Sequence, residues 1–255
     1  CVTKAIAENV AVPNGVVMIS PSATSPSLTD INDNGFFFRT APSDKRGGQI
    51  LADITKDRGI KSVAITYENS DYGKGLAENV QLGLEKHGIK ITTTLAHENG
   101  KADYASEVAT LAAAGGDALA VLGYADQGGK GVIQAALDSG AFDTFILGDG
   151  MIAKSLVATF GKDLSKSFGS MPGSLAKGAQ MYEGIAKAAG VDPNGAFVRE
   201  SYDAAALIVL AVQAGNSADR KSIAKNVMSV ANGPGTKIYP GELKKGLELL
   251  AKGTE

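Results

Sequence analysis

A chain of 255 residues is long enough for one large domain or two smaller ones with a substantial core. Its 25 Lys and Arg against 27 Asp and Glu leave no electrostatic footprint for nucleic acid or an anionic membrane surface. Hydrophobic content is 44%, an ordinary globular value, and no apolar run approaches the ~20 residues that span a bilayer.

One cysteine excludes an internal disulfide. It is residue 1, with no Met before it. Cys1 is read either as the lipid-modified first residue of a processed lipoprotein or as the start of a fragment, and the fragment is favoured. No signal peptide is visible in the chain.

In chain order, the first informative segment is the apolar strand Val16–Ile19, which runs into Ser20-Pro21-Ser22-Ala23-Thr24-Ser25-Pro26-Ser27. Small hydroxyls supply donors and acceptors while the prolines fix the loop's shape. Beyond residue 44 helix and strand alternate. An amphipathic stretch over 46–58 precedes the strand 62–67. A helix over 72–87 carries Leu76, Val80, Leu82 and Leu84 and stops at Gly88. The β-branched 89–95 reads as a strand, 104–114 as a helix, 118–123 as a buried strand and 131–137 as a helix. A strand over 144–148 and a helix over about 153–160 follow. This rhythm predicts an α/β fold with a parallel sheet, helices on both faces and right-handed crossovers.

The segment 169–174 reads as a linker. The remainder is mostly helical, over 176–189, 196–214 and 220–231, and is expected to pack on a sheet begun by residues 11–40. The predicted organisation is therefore a discontinuous lobe one, 1–42 with 173–249, and a lobe two, 43–172, with 250–255 beginning a last crossover.

Ligands of open parallel sheets sit beyond the carboxyl ends of the strands. Ser22 and Thr24, Tyr72, Tyr124 and Asp149 all follow such ends. Each has a plainer reading: helix caps for the serines and threonines, packing for Tyr72, a turn for Asp149 between two glycines. Together, hydroxyls, phenols and one carboxylate describe a polar site for a small zwitterion rather than a catalytic centre. The rival motifs are incomplete. Gly148-Asp149-Gly150-Met151-Ile152-Ala153 fits a dinucleotide turn but lacks a following strand with an acidic end. Gly123–Gly131 is Gly-rich but lacks the Gly-Lys-Ser/Thr of a phosphate loop. His87 and His97 are isolated, so no metal site is expected.

At Ile19–Pro26, with Phe37-Phe38-Arg39-Thr40-Ala41 some dozen residues later, the chain resembles periplasmic leucine/isoleucine/valine-type substrate-binding proteins of ATP-driven importers. Asp71-Tyr72-Gly73-Lys74-Gly75, Gly123-Tyr124, the loop at Asp149 and Glu200-Ser201-Tyr202-Asp203-Ala204 carry the same resemblance. It implies a periplasmic-binding-protein-like fold of two α/β lobes, each a parallel sheet flanked by helices and closing on a ligand in an interlobe cleft, with lobe one truncated here. It implies ligand contacts at Ser22, Ala23, Thr24, Tyr72, Tyr124, Asp149 and Tyr202. Thr24 with its N–H would hold an α-carboxylate, the Ser22 carbonyl and Thr24 hydroxyl would help receive the α-ammonium, and Asp149 would pair with that ammonium. Tyr72 would close from lobe two, Tyr124 would wall the site, and Tyr202 would line it or serve only in packing. The implied role is non-catalytic capture of a small, branched aliphatic amino acid in the periplasm and delivery to a membrane permease, by a monomer needing no cofactor and no nucleic acid. The alternatives are a ligand-sensing domain of a receptor or transcription regulator and, further off, a nucleotide-dependent enzyme.

Overall fold

The computed structural model describes residues 2–253; Cys1, Thr254 and Glu255, and with them the readings of Cys1 and of the chain's last two residues, lie outside the described residues. The chain opens with α1 (Val2–Ile6), β1 (Met18–Ser20) and β2 (Phe37–Arg39). The alternating region follows as α2 (Asp44–Asp57), β3 (Ser62–Glu68), α3 (Asp71–Lys86), β4 (Lys90–His97), α4 (Ala105–Ala114) and β5 (Ala118–Leu122). It ends with α5 (Lys130–Asp138), β6 (Phe145–Leu147), α6 (Lys154–Phe160) and β7 (Phe168–Gly169). Four helices close the chain: α7 (Lys177–Ala188), α8 (Val198–Ala214), α9 (Arg220–Asn232) and α10 (Leu243–Ala251).

Two compact units emerge. One takes in the chain up to Ala23, Asp30–Ala41 and everything from Gly173 on; the other is Thr24–Thr29 with Pro42–Pro172. The hydroxyl-rich loop is thus divided. Ser22 and Ala23 stay with β1, whereas Thr24, expected in lobe one, groups with the unit that carries Asp149. The reason is local bonding: the Asp44 N–H donates to the Thr24 carbonyl at 2.9 Å, and Ser25 Oγ donates to the Asp71 carbonyl at 3.2 Å.

The second unit holds a five-stranded, wholly parallel sheet in the order β4-β3-β5-β6-β7. Because successive residues of a strand face opposite sides, the apolar runs feed two cores. Ala64, Leu119, Val121 and Phe145 pack with Val108, Leu111, Val132 and Ile133 of α4 and α5. Val63, Ile65, Ala120 and Ile146 pack with Leu51, Leu76, Val80 and Leu84 of α2 and α3. Leu82, read as part of that stripe, instead points to solvent. β7 runs parallel to β6 at a place where the sequence predicted no strand and a linker from 169.

The first unit holds β1 and β2 as a parallel pair, Met18 opposite Phe37 and Ser20 opposite Arg39. The strand predicted over Val16–Ile19 starts later because the Val16 N–H is bonded to the Ala11 carbonyl in the preceding turn. α8 packs against α9, α10 and β1. Thr40 Oγ1, just past β2, donates to the Glu200 carbonyl in the first turn of α8 at 2.8 Å. The C-terminal helix α10 takes in Leu250 and Ala251, which the sequence assigned to a crossover.

Candidate functional site

β3, β5 and β6 are neighbours in one parallel sheet, so the segments that follow them emerge along the same edge. Tyr72 lies in the first turn of α3, Tyr124 directly after β5, and Asp149 opens a short 3-10 turn after β6. α3 begins where Ser70 Oγ accepts the Gly73 N–H at 3.2 Å, with Asp71 favouring the positive end of the helix dipole. Gly73 itself is required by close approach: a Cβ there would lie 2.2 Å from the Glu68 carbonyl oxygen. The helix can therefore start almost on top of the strand end, which places the Tyr72 ring over the sheet edge.

The structure brings Tyr72, Tyr124 and Asp149 together. The Tyr72 hydroxyl donates to Asp149 Oδ1 at 2.5 Å and accepts the Gly150 N–H at 3.1 Å. The Tyr72 and Tyr124 rings stack, 5.0 Å between centroids and 29° between planes. Tyr72 is buried, while Tyr124 is 41% exposed, so one phenol anchors and the other presents a ring face to solvent. Gly150 fits only as glycine, since a Cβ would meet the Gly123 carbonyl at 2.5 Å and the Tyr72 hydroxyl at 3.0 Å.

Burial raises the Asp149 carboxyl above the usual range, opposed by the hydrogen bonds from Tyr72 and Gly150. Burial and the Asp149 charge push the Tyr72 phenol well up. Tyr124 is raised to about 12, first by burial and then by the charges of Glu68, Asp149 and Asp44. Both phenols therefore stay protonated donors at neutral pH, and the carboxylates around them make the edge electronegative. Such an edge suits a cationic group.

The other predicted residues make contacts of their own. Thr24 is buried in the second unit, its carbonyl bonded to Asp44. Ser25 and Ser27 do not act as side-chain caps; their hydroxyls bond each other at 3.0 Å. In the first unit Ser22 is exposed. The Ala23 N–H donates to Ser20 Oγ at 3.1 Å and its carbonyl accepts from Arg39 Nη1 at 3.3 Å. The Tyr202 hydroxyl accepts the Gly241 N–H at 3.0 Å, and its ring meets Tyr182 edge-on, contacts that serve packing.

Sequence reading missed a polar group beside Tyr124. Glu68, at the end of β3, is buried; Oε1 accepts from Asn99 Nδ2 at 2.9 Å, and Oε2 has no hydrogen-bond partner among the described residues. Its strand-end position is the signal that selected Asp149, but the strand reads from the sequence as ending at 67, one residue short of Glu68. His97 is its register neighbour on β4. Its Nδ1 shares a 2.9 Å hydrogen bond with Thr66 Oγ1, its Nε2 has no partner among the described residues, and burial lowers it to about 4.

The dinucleotide reading of Gly148–Ala153 meets an occupied turn. A Cβ on Gly148 would strike the Leu76 side chain at 2.7 Å, and Gly150 is filled by Tyr72 and Tyr124. These glycines admit side chains of the protein itself, and the next strand, β7, ends in Phe168-Gly169 without a carboxylate. Among the described residues no group of three or more His, Cys, Asp or Glu is placed to hold a metal ion, and no helix is long and apolar enough to cross a membrane.

The profile of the family described as periplasmic binding protein matches residues 2–237. The chain belongs to that family. A Leu/Ile/Val-binding protein homolog 1 of Brucella melitensis biotype 1 is 28% identical over 225 residues, covering 86% of this chain and 59% of the relative. A leucine-, isoleucine-, valine-, threonine- and alanine-binding protein of Pseudomonas aeruginosa is 27% identical over 218 residues, covering 83% and 57%. Among solved structures, a leucine-binding protein from Thermotoga maritima MSB8 superposes with a TM-score of 0.74 at 22% identity, covering 86% of this chain and 63% of that one. A branched-chain amino acid transporter substrate-binding protein from Streptococcus pneumoniae, solved with isoleucine, gives 0.71 at 24%, covering 89% and 65%. The α/β fold expected from the sequence is thus that of these solved proteins, and the family is one of binding proteins rather than enzymes. The chain spans less than two thirds of the length of each of these relatives and structures.

Proposed function

We propose that this chain captures a small amino acid, branched and aliphatic, and delivers it outside the cytoplasm to the membrane permease of an ATP-driven importer. The observation that carries this reading is the Tyr72–Asp149 pair. A buried carboxylate, held by a phenol at the carboxyl edge of a parallel sheet and flanked by a half-exposed aromatic ring, offers an ammonium a charge partner and an aliphatic body a ring to lie on. The names of the Brucella and Pseudomonas relatives support the choice of ligand class. Asp149 receives the ammonium, Tyr72 orients Asp149, and Tyr124 walls the ligand. Thr24 with its N–H is the proposed partner of the ligand's carboxylate.

A thermal-shift screen of the twenty amino acids and NAD on the whole 255-residue chain tests the reading. Leucine, isoleucine or valine at about a hundred times its dissociation constant should raise the Tm by roughly 5–10 °C. A shift with NAD and none with any amino acid would replace capture by a nucleotide-dependent role.

A further inference from the structure

We propose that Glu68 and Asn99 are positioning residues for the amino-acid site: they hold the turn that carries Tyr124, and so hold the Tyr124 ring against Tyr72. This inference rests on the capture reading, because it assigns these residues to the placement of a wall of that site.

Tyr124 leads a turn over 125–129 that is not regular helix; Gly128, at φ 173° and ψ −33°, interrupts it. Within the turn, the N–H groups of Gln127 and Gly129 both reach back to the Tyr124 carbonyl, at 3.2 and 3.1 Å. These bonds close the turn on itself but do not fix where it sits. That is done from outside.

One tether comes from the loop after β4. The Asn99 side-chain amide carries two hydrogens. It donates to Glu68 Oε1 at 2.9 Å and to Gln127 Oε1 at 3.2 Å, while the Gly100 N–H donates to the Gln127 carbonyl at 2.9 Å. A second tether ends on Asp126, which accepts from Ser155 Oγ at 3.0 Å and pairs with Lys130 at 2.5 Å. The first tether alone has its far end in the sheet, at Glu68. Glu68 also braces the chain just before Tyr124, since a Cβ on Gly123 would meet Glu68 Cβ at 3.0 Å. Its stem therefore supports the entry to the turn and its carboxylate grips the middle of it through Asn99.

The cost of this arrangement is visible. Glu68 is 6% exposed, and its Oε2 has no hydrogen-bond partner among the described residues. A buried carboxylate left half-satisfied destabilises a fold. An apolar residue would close the core more cheaply but could not hold Asn99. The charge has a second consequence at the ring, where Glu68 helps keep the Tyr124 phenol protonated.

The test uses the whole chain labelled with 3-fluorotyrosine, with the Tyr124 fluorine resonance assigned by its loss in Tyr124→Phe. Asn99→Leu and Glu68→Leu should shift or broaden that resonance and leave those of Tyr182 and Tyr239, in the other unit, in place. Glu68→Gln retains an acceptor at Oε1 and should restore it. With L-leucine as probe, calorimetric Kd should rise roughly 2- to 30-fold in both Leu variants and stay within about twofold of wild type in the Gln variant. Asn99 is exposed, so its variant cuts the tether without emptying the core even where Glu68→Leu fails to fold. An unmoved Tyr124 resonance in Asn99→Leu, or a moved resonance with unchanged Kd, overturns the proposal. Wild-type protein indifferent to L-leucine overturns the capture reading instead, and the fluorine spectra then decide by themselves whether the tether holds the ring.

Discussion

Tyr72 Oη lies 2.5 Å from Asp149 Oδ1, joining the first turn of α3 to the turn after β6 across 77 positions of sequence. The bond does two things. It orients a buried carboxylate at the sheet edge, and it occupies one lone-pair direction of Asp149 Oδ1.

Asp149→Asn separates charge from shape. If Asp149 receives an ammonium, removal of the charge takes away a charge-assisted contact worth roughly 1.5–3 kcal/mol, so amino-acid affinity should fall about 10- to 100-fold. Stability should not fall with it. Burial raises the carboxyl, so ionised Asp149 works against the fold at neutral pH, and a neutral amide relieves that. Calorimetry and urea unfolding on one preparation read both quantities; lost stability with intact affinity would make Asp149 a turn former.

Tyr72→Phe keeps the ring and its stacking on Tyr124 but strips two hydrogen bonds at once. Asp149 Oδ1 loses its donor and the Gly150 N–H its acceptor, both part-buried. The expected cost is about 1–3 kcal/mol in urea unfolding. Combined with Asp149→Asn, the two changes should be clearly non-additive, because they share the contact. Additive costs would mean that the hydroxyl and the carboxylate act separately.

Gly73→Ala probes the geometry that aims Tyr72. The added methyl would sit 2.2 Å from the Glu68 carbonyl, a backbone atom that cannot rotate away. α3 must lift from the strand end, at roughly 1–3 kcal/mol. The Tm should drop by several degrees, and a Tm equal to wild type would show that the helix start has slack.

Periodicity and capping made the second unit legible. In α3 the spacing of Leu76, Val80 and Leu84 and the stop at Gly88 predicted a helix within a residue of that observed, and the continuous apolar run of β5 announced a strand buried on both faces. β7 stayed hidden because two residues carry no period, and α10 lies beyond the last helix read from the sequence, over 220–231. At the site, the strand-end rule found Tyr72, Tyr124 and Asp149 one at a time, but not the bond between two of them, which depends on strand order in space. It passed over Glu68 because the strand reads from the sequence as ending at 67, and it put Thr24 with β1 because nothing in Ser22-Ala23-Thr24-Ser25 shows that Thr24 and Ser25 bond forward to Asp44 and Asp71.

His97 makes the acid response of the fold predictable. Burial lowers it from an ordinary 6.5 to about 4, with the charges of Glu107 and Glu98 opposing. The unfolded chain takes up this proton as the pH falls through about 6.5, while the folded protein refuses it until about 4. Stability from this group is therefore intact above pH 6.5, is lost progressively between 6.5 and 4, and levels off below; the sum is on the order of 3 kcal/mol. His97→Gln cannot titrate and can still hydrogen-bond Thr66 Oγ1. Urea unfolding at pH 7, 5.5 and 4.5 should show the wild type losing stability more steeply than the variant, by about that amount over the full range. Parallel losses in the two proteins would mean that the folded state accepts the proton at ordinary pH.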